Sequence, residues 1–250
     1  MNPLQPLIIR EIHEDILAAS GAFLLLAAIV ILSVFSVLLV SNTELSLLGN
    51  AEAVYMMAGI IVALGALIAV IRGSDGFAGE RERETLEPLL LSPVSGRQIA
   101  FAKLFGILTS WFFLYMLSIP YLWAVGSTGQ NLVSALRYLF ITGTLMVLIF
   151  GSLALTVSSR MKSFRGVLSL GLTTLLLLGS PVVLGASLRQ SSVGRILDMV
   201  NPLAGALNTL DSVIIDSQGP SFQLIRLSVI MGYTLAAIWC LFIATKWIEP

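Results

Sequence analysis

The chain has 250 residues, 57% of them hydrophobic and 11% charged, with a mean hydropathy of +0.95. Soluble domains carry about 45–50% apolar and about 25% charged residues, so this balance excludes an ordinary soluble domain and places the chain in the integral-membrane class. Fourteen basic residues offset fourteen acidic ones, which removes the basic stripe that a nucleic-acid partner needs.

Residues 1–15 precede the first apolar run. Leu4, Ile8, Ile12 and Ile16 recur every fourth residue, while Arg10, Glu11, His13, Glu14 and Asp15 point elsewhere. That spacing predicts an amphipathic helix in the membrane interface, confined by Pro3 and Pro6 to the part after residue 6; a plain polar run-up to the membrane is the alternative. The run that follows exceeds the 7–15 residues of a signal-peptide core and no small-residue cleavage site follows it, so it is expected to stay as a span.

Six apolar segments follow: Ile16–Val40, Ala53–Ile71, Leu104–Val125, Tyr138–Val157, Val167–Leu188 and Leu224–Trp247. Each reaches the roughly 17–25 residues that cross about 30 Å of hydrocarbon as a helix. Their interiors are almost free of charge, which would cost about 2.5–3.5 kcal/mol per residue at mid-span. Arg72, Lys103, Arg137 and Lys246 stand at edges, and Arg226 near the start of the last segment can snorkel to the interface. With the N-terminus inside, the basic residues concentrate on the inner side, at Arg10, Arg72–Lys103, Arg160–Arg165 and Lys246. This fits the positive-inside rule and puts both termini in the cytoplasm.

Two spans carry prolines. Pro120 near the outer end of the third and Pro181, with Gly179 and Gly185, in the fifth should bend their helices. Such bends could shape a pathway or an outer gate, or reflect the ordinary tolerance of membrane helices for proline. Gly59/Ala63 and Gly65/Ala69 put small residues four apart on the second span, the spacing of close helix contact. Between spans five and six, Val193, Ile196, Leu197 and Val200 form one apolar stripe. Leu203, Leu207, Leu210 and Ile214 form another after Asn201–Pro202. Two short amphipathic helices, dipping into the outer leaflet or capping the bundle, explain this better than a solvated loop.

The densest charged stretch runs from Gly79 to Lys103, GERERETLEPLLLSPVSGRQIAFAK. Phe77 to Glu87 is helix-permissive, with Glu80–Arg83 and Arg83–Glu87 as favourable pairs and Glu80, Glu82 and Glu84 in early turns. Pro88 should break that helix. Ser95 and Gln98 then form an S-x-x-Q capping box for a helix continuing through Lys103 into the third span. A metal site at the glutamates is disfavoured, since Arg81 and Arg83 oppose a cation and no calcium-loop pattern is present. The one cysteine, Cys240, reads as a small buried hydrophobe, and His13 has no second ligand nearby, so no metal or cofactor is assigned to this chain.

This stretch resembles the cytoplasmic signature of ABC-2 type permeases, the membrane subunits of ATP-binding-cassette exporters. The matching residues are Glu80, Glu82, Thr85, Leu86, Glu87, Leu89, Leu90, Ser92, Pro93, Val94, Ser95 and Lys103. Arg10–Glu11 is similar to the family's N-terminal interfacial helix. One departure is Glu84, where the family often has Gly before the Thr, which bears on where the helix starts.

The resemblance implies a single permease domain over residues 1–250, all-α, with six spans, an N-terminal interfacial helix, a coupling helix between spans two and three, and short outer helices before span six. It implies that Glu80, Arg81, Glu82, Arg83, Glu84, Thr85, Leu86 and Glu87 dock in a groove of a separate ATPase present in two copies. Pro88 and Pro93 would form a corner, and Ser95, Gln98 and Lys103 a lever into span three. Ile8, Arg10, Glu11 and Ile12 would lie in the interface, and Pro120 and Pro181 would shape the outer side. A second permease copy, most simply a homodimer, and accessory subunits would complete the complex in the cell inner or plasma membrane. ATP and Mg would bind the partner, since no G-x-x-x-x-G-K-[ST] loop exists here. The competing function is an ion-coupled carrier or channel without an ATPase, which usually needs ionisable residues at mid-span. An intramembrane enzyme would need a catalytic set that His13, outside the spans, and Asp75, with no evident partner Asp in another span, do not make.

Overall fold

The computed structural model describes residues 4–16, 19–41, 50–86, 94–126, 131–183 and 200–247. Among them every regular element is helical. In chain order they are α1 (Leu4–Ile16), α2 (Ala19–Ser41), α3 (Asn50–Ser74), α4 (Gly96–Gly126), α5 (Leu132–Arg160), α6 (Phe164–Val183), α7 (Pro202–Ile214) and α8 (Pro220–Ala244). α3 runs on through a π turn, Asp75–Gly79, into Glu80–Glu82. Among the described residues, five helical stretches are long and apolar enough to cross a membrane: Ser20–Ser41, Ala51–Glu82, Gly96–Gly126, Leu132–Arg160 and Gln223–Ala244. The predicted fifth span falls on the shorter apolar stretch Phe164–Ser180, its remaining residues to Leu188 lying partly outside the described ones.

The core is built around α3 and α5, which pack on each other more than any other pair. α4 joins them through Trp111, whose indole lies against Gly65 of α3 and Gly143 of α5. A Cβ on Gly65 would come within 2.6 Å of the indole ring. The Trp111 Nε1–H donates to Thr144 Oγ1 at 3.0 Å, giving the buried polar edge a partner. The glycine of the second predicted small-residue pair thus seats a large ring. α2 and α8 instead present Phe23, Leu26, Val37, Leu235 and Trp239 outward, the surface expected of helices facing hydrocarbon. Cys240 is exposed on that same outer side of α8, not buried as expected.

α1 starts at Leu4 and carries Pro6 in its first turn, where a helix N–H has no intrahelical acceptor and proline is tolerated. The predicted start after residue 6 is corrected accordingly. Its buried face also differs from the predicted stripe. Leu7 and Glu11, one turn apart, face the protein, while Ile8 and Ile12 are half-buried and Ile9 is exposed. α1 packs chiefly on α4.

At the other end, α7 takes the second of the two predicted outer helices, and the Val193–Val200 stripe lies almost wholly outside the described residues. Asn201 caps α7, accepting from Leu203 N at 2.9 Å and Ala204 N at 3.3 Å, and its amide donates to Leu178 O of α6. Leu203, Ala206, Leu210, Val213 and Ile214 are buried, and α7 packs on α5, α8, α3 and α6. It caps the bundle. Arg226 does not simply snorkel: its Nη1 donates to Asn208 O and Ser212 Oγ of α7. Pro120 sits inside α4, which continues to Gly126, and Pro181 lies in the last turn of α6.

Candidate functional site

The charged block after α3 is not the free surface helix its sequence predicts. The residues from Asn50 to Glu82 form one continuous helical rod, interrupted only by the π turn. A π turn adds a residue to the helix and leaves backbone groups without α-type partners. Ser158 of α5 supplies them. Its Oγ accepts from Phe77 N at 3.0 Å and Ala78 N at 2.8 Å, and donates to Ser74 O at 2.9 Å. One hydroxyl from the neighbouring helix thus threads the hydrogen-bond ladder of α3, a recognised cause of helix bending. Gly73 and Gly76 permit the approach, since a Cβ on either would press on Ala154 or Leu155 of α5.

The rod ends at Glu84 rather than starting near it. Thr85 N donates to Glu80 O at 2.9 Å and Glu84 N to Arg81 O at 3.2 Å, the paired bonds of a Schellman stop. Glu84 has a φ of 58°, the left-handed conformation that glycine adopts most easily. The position where ABC-2 permeases often carry Gly is therefore a helix stop, which corrects the expected helix start.

The first three residues of the predicted docking set, Glu80, Arg81 and Glu82, bind other helices of the same chain. Glu80 is only 6% exposed, and its Oε1 accepts from Lys103 Nζ of α4 at 2.7 Å. Lys103, 4% exposed, also donates to Glu11 Oε1 of α1 at 3.1 Å, and its ammonium lies 5.7 Å from the Phe77 ring centre. A buried lysine between two carboxylates links the interfacial helix, the rod and α4. Such a group holds geometry more than it adds stability, because desolvation offsets most of the Coulomb gain. Glu11, expected on the solvent side of α1, and Glu80, expected on a docking face, both turn inward.

Arg81 and Glu82 clamp the turn between α5 and α6. Arg81 Nη1 donates to Met161 O at 2.7 Å and Nη2 to Ser159 O at 3.3 Å, placing a cation on the carbonyl end of α5. The Glu82 carboxylate accepts from Phe164 N at 2.9 Å, placing an anion on the amide end of α6. Both signs match the dipoles of the helix ends they meet. Arg83 pairs with Asp75. Glu84 and Thr85 are exposed, whereas Leu86 is buried. Glu87, Pro88 and Pro93 lie outside the described residues.

The capping box at Ser95 forms as its sequence predicts. Ser95 N donates to Gln98 Oε1 at 2.9 Å, and Gln98 N to Ser95 Oγ at 3.4 Å, the reciprocal capping box that opens α4. Seven residues on, that helix delivers Lys103 into the buried triad. Ser158 carried no sequence signal beyond a polar pair, Ser158–Ser159, at the end of an apolar run.

No group of three or more His, Cys, Asp or Glu side chains suited to a metal occurs among the described residues. In comparison with known families, a model described as ABC-2 family transporter protein matches residues 10–247. No curated protein matches the chain.

Proposed function

The chain belongs to the ABC-2 transporter family and is a permease component of an ABC transporter, and on that premise we propose that the segment after α3 is where a separate ATPase delivers mechanical work for export. The observation that carries this reading is the convergence of four helices on three consecutive residues. Glu80 reaches α4 and α1 through Lys103, Arg81 holds the end of α5, and Glu82 holds the start of α6. A displacement of this rod end moves all of them together, because each link is a charge-assisted hydrogen bond. The route is wider than spans two and three alone.

In this reading Arg83, Glu84 and Thr85 form the outward contact, and the ATPase binds ATP and Mg. Two permease copies, expected to be identical, sit over two ATPase subunits in the cell inner membrane with their termini in the cytoplasm. The test is co-expression with the candidate ATPase and charge reversal at exposed positions, Arg83→Glu with Glu84→Lys. The expected result is loss of the co-purified complex. An unaltered complex with unaltered ATP turnover would overturn the docking role.

A further inference from the structure

A polar cavity of about 220 Å³ opens beside the triad, lined by Arg10, Ser20, Arg72, Asp75, Glu80 and Lys103 among others. A single water needs only about 10–15 Å³, so the space admits a larger guest. Its depth is that of lipid headgroups. Ser20 begins the apolar stretch of α2, and the apolar rod Ala51–Glu82 has 32 residues, whereas about 20 suffice to cross the hydrocarbon. Arg72 therefore stands near the inner boundary, roofed by α1.

The lining carries both signs of charge on opposite partners. Arg72 Nη1 donates to Ser20 Oγ at 3.4 Å, and a guanidinium has five donors for a phosphate-type acceptor. Glu80 Oε2 is buried and accepts no hydrogen bond, although its other oxygen holds Lys103. A buried carboxylate oxygen without a donor is costly, and Asp75 lies in the same wall. A guest that satisfies this wall brings an anion for Arg72, Arg10 and Ser20 and an N–H cation for Glu80.

We propose that this cavity is a binding site for a phosphate ester bearing a primary ammonium, supplied as the headgroup of phosphatidylethanolamine from the inner leaflet. Choline carries the same charge but no N–H donor, and glycerol carries no cation. Arg83 and Thr85, on the proposed ATPase contact, also line this cavity, so lipid binding is tested on the full chain alone, where a failure of docking has no effect on the result.

The experiment measures binding of dioleoyl phosphatidylethanolamine, phosphatidylcholine and phosphatidylglycerol to the detergent-purified protein by native mass spectrometry and by thermal shift. The ethanolamine lipid is expected to bind roughly tenfold tighter than the other two, the value of one charge-assisted hydrogen bond, and Glu80→Gln should erase that preference. Equal affinities for the three lipids overturn the site. Tightest binding of phosphatidylglycerol overturns it too, in favour of a simple basic surface. Stabilisation by soluble O-phosphoethanolamine to the same extent as the lipid overturns the lipid source. The lipid series on the unaltered protein decides the matter even if the variant fails to fold.

Discussion

The Glu82 carboxylate accepts the Phe164 amide at 2.9 Å, so the first turn of α6 is capped by a residue 82 positions earlier in the chain. Together with Arg81 on the carbonyls of Ser159 and Met161, this makes the turn between α5 and α6 an extension of the α3 rod. The charges that look most like a surface patch in the sequence are thus structural connectors, although Glu82 stays exposed along with Arg83, Glu84 and Thr85.

The buried triad gives the first prediction. Lys103→Met leaves Glu11 and Glu80 facing each other without a cation and should cost about 3–5 kcal/mol. Combining it with Glu11→Leu and Glu80→Leu should recover most of that loss, because an apolar replacement of a buried ion cluster is often neutral. Thermal unfolding in detergent, compared across the single and triple variants, checks both halves.

Ser158→Ala removes the hydroxyl that serves Phe77 N, Ala78 N and Ser74 O. Unsatisfied buried groups cost about 1–3 kcal/mol each, and the π turn should become the first part of the rod to open. Hydrogen exchange at Phe77 and Ala78 should rise sharply while exchange in α4 near Trp111 stays slow. Uniform exchange across both regions would contradict the plug.

Glu84 holds a left-handed conformation that costs a side-chain-bearing residue about 1–2 kcal/mol. Glu84→Gly should therefore raise the melting temperature despite removing a charge, whereas Glu84→Val should lower it. A stabilising valine would contradict the helix-stop geometry.

Gly143→Leu drives a side chain into the Trp111 ring, and overpacking of this kind costs about 1–3 kcal/mol. Trp111→Leu in the same chain should restore part of the stability. Independent, additive losses from the two substitutions would show that the residues do not touch.

Much of this architecture was legible in the sequence, for identifiable reasons. Apolar length and charge-free interiors marked the long helices, and the Ser95–Gln98 capping box and the Asn201–Pro202 start of α7 rest on local hydrogen bonds that sequence spacing fixes. The failures share a different cause. The outward placement expected for Glu11 and Glu80 fails because both carboxylates pair with Lys103 of another helix. Ser158 was invisible because its partners are backbone groups exposed by a π turn, and no periodicity announces that turn. Pairings across 23 to 92 residues, from Glu80–Lys103 to Glu11–Lys103, depend on how helices pack, which local spacing does not encode.

The central claim is that Arg81 and Glu82 transmit work and do not merely hold the ATPase. The direct measurement is ATP turnover and complex recovery for Arg81→Met with Glu82→Gln, reconstituted in lipid with the partner ATPase. The account predicts a complex recovered in normal yield whose permease-dependent change in ATP turnover falls at least roughly tenfold, the value of a single charge-assisted link, since the variant removes both Arg81 bonds and the Glu82 charge. Full permease-dependent turnover in that variant would contradict it.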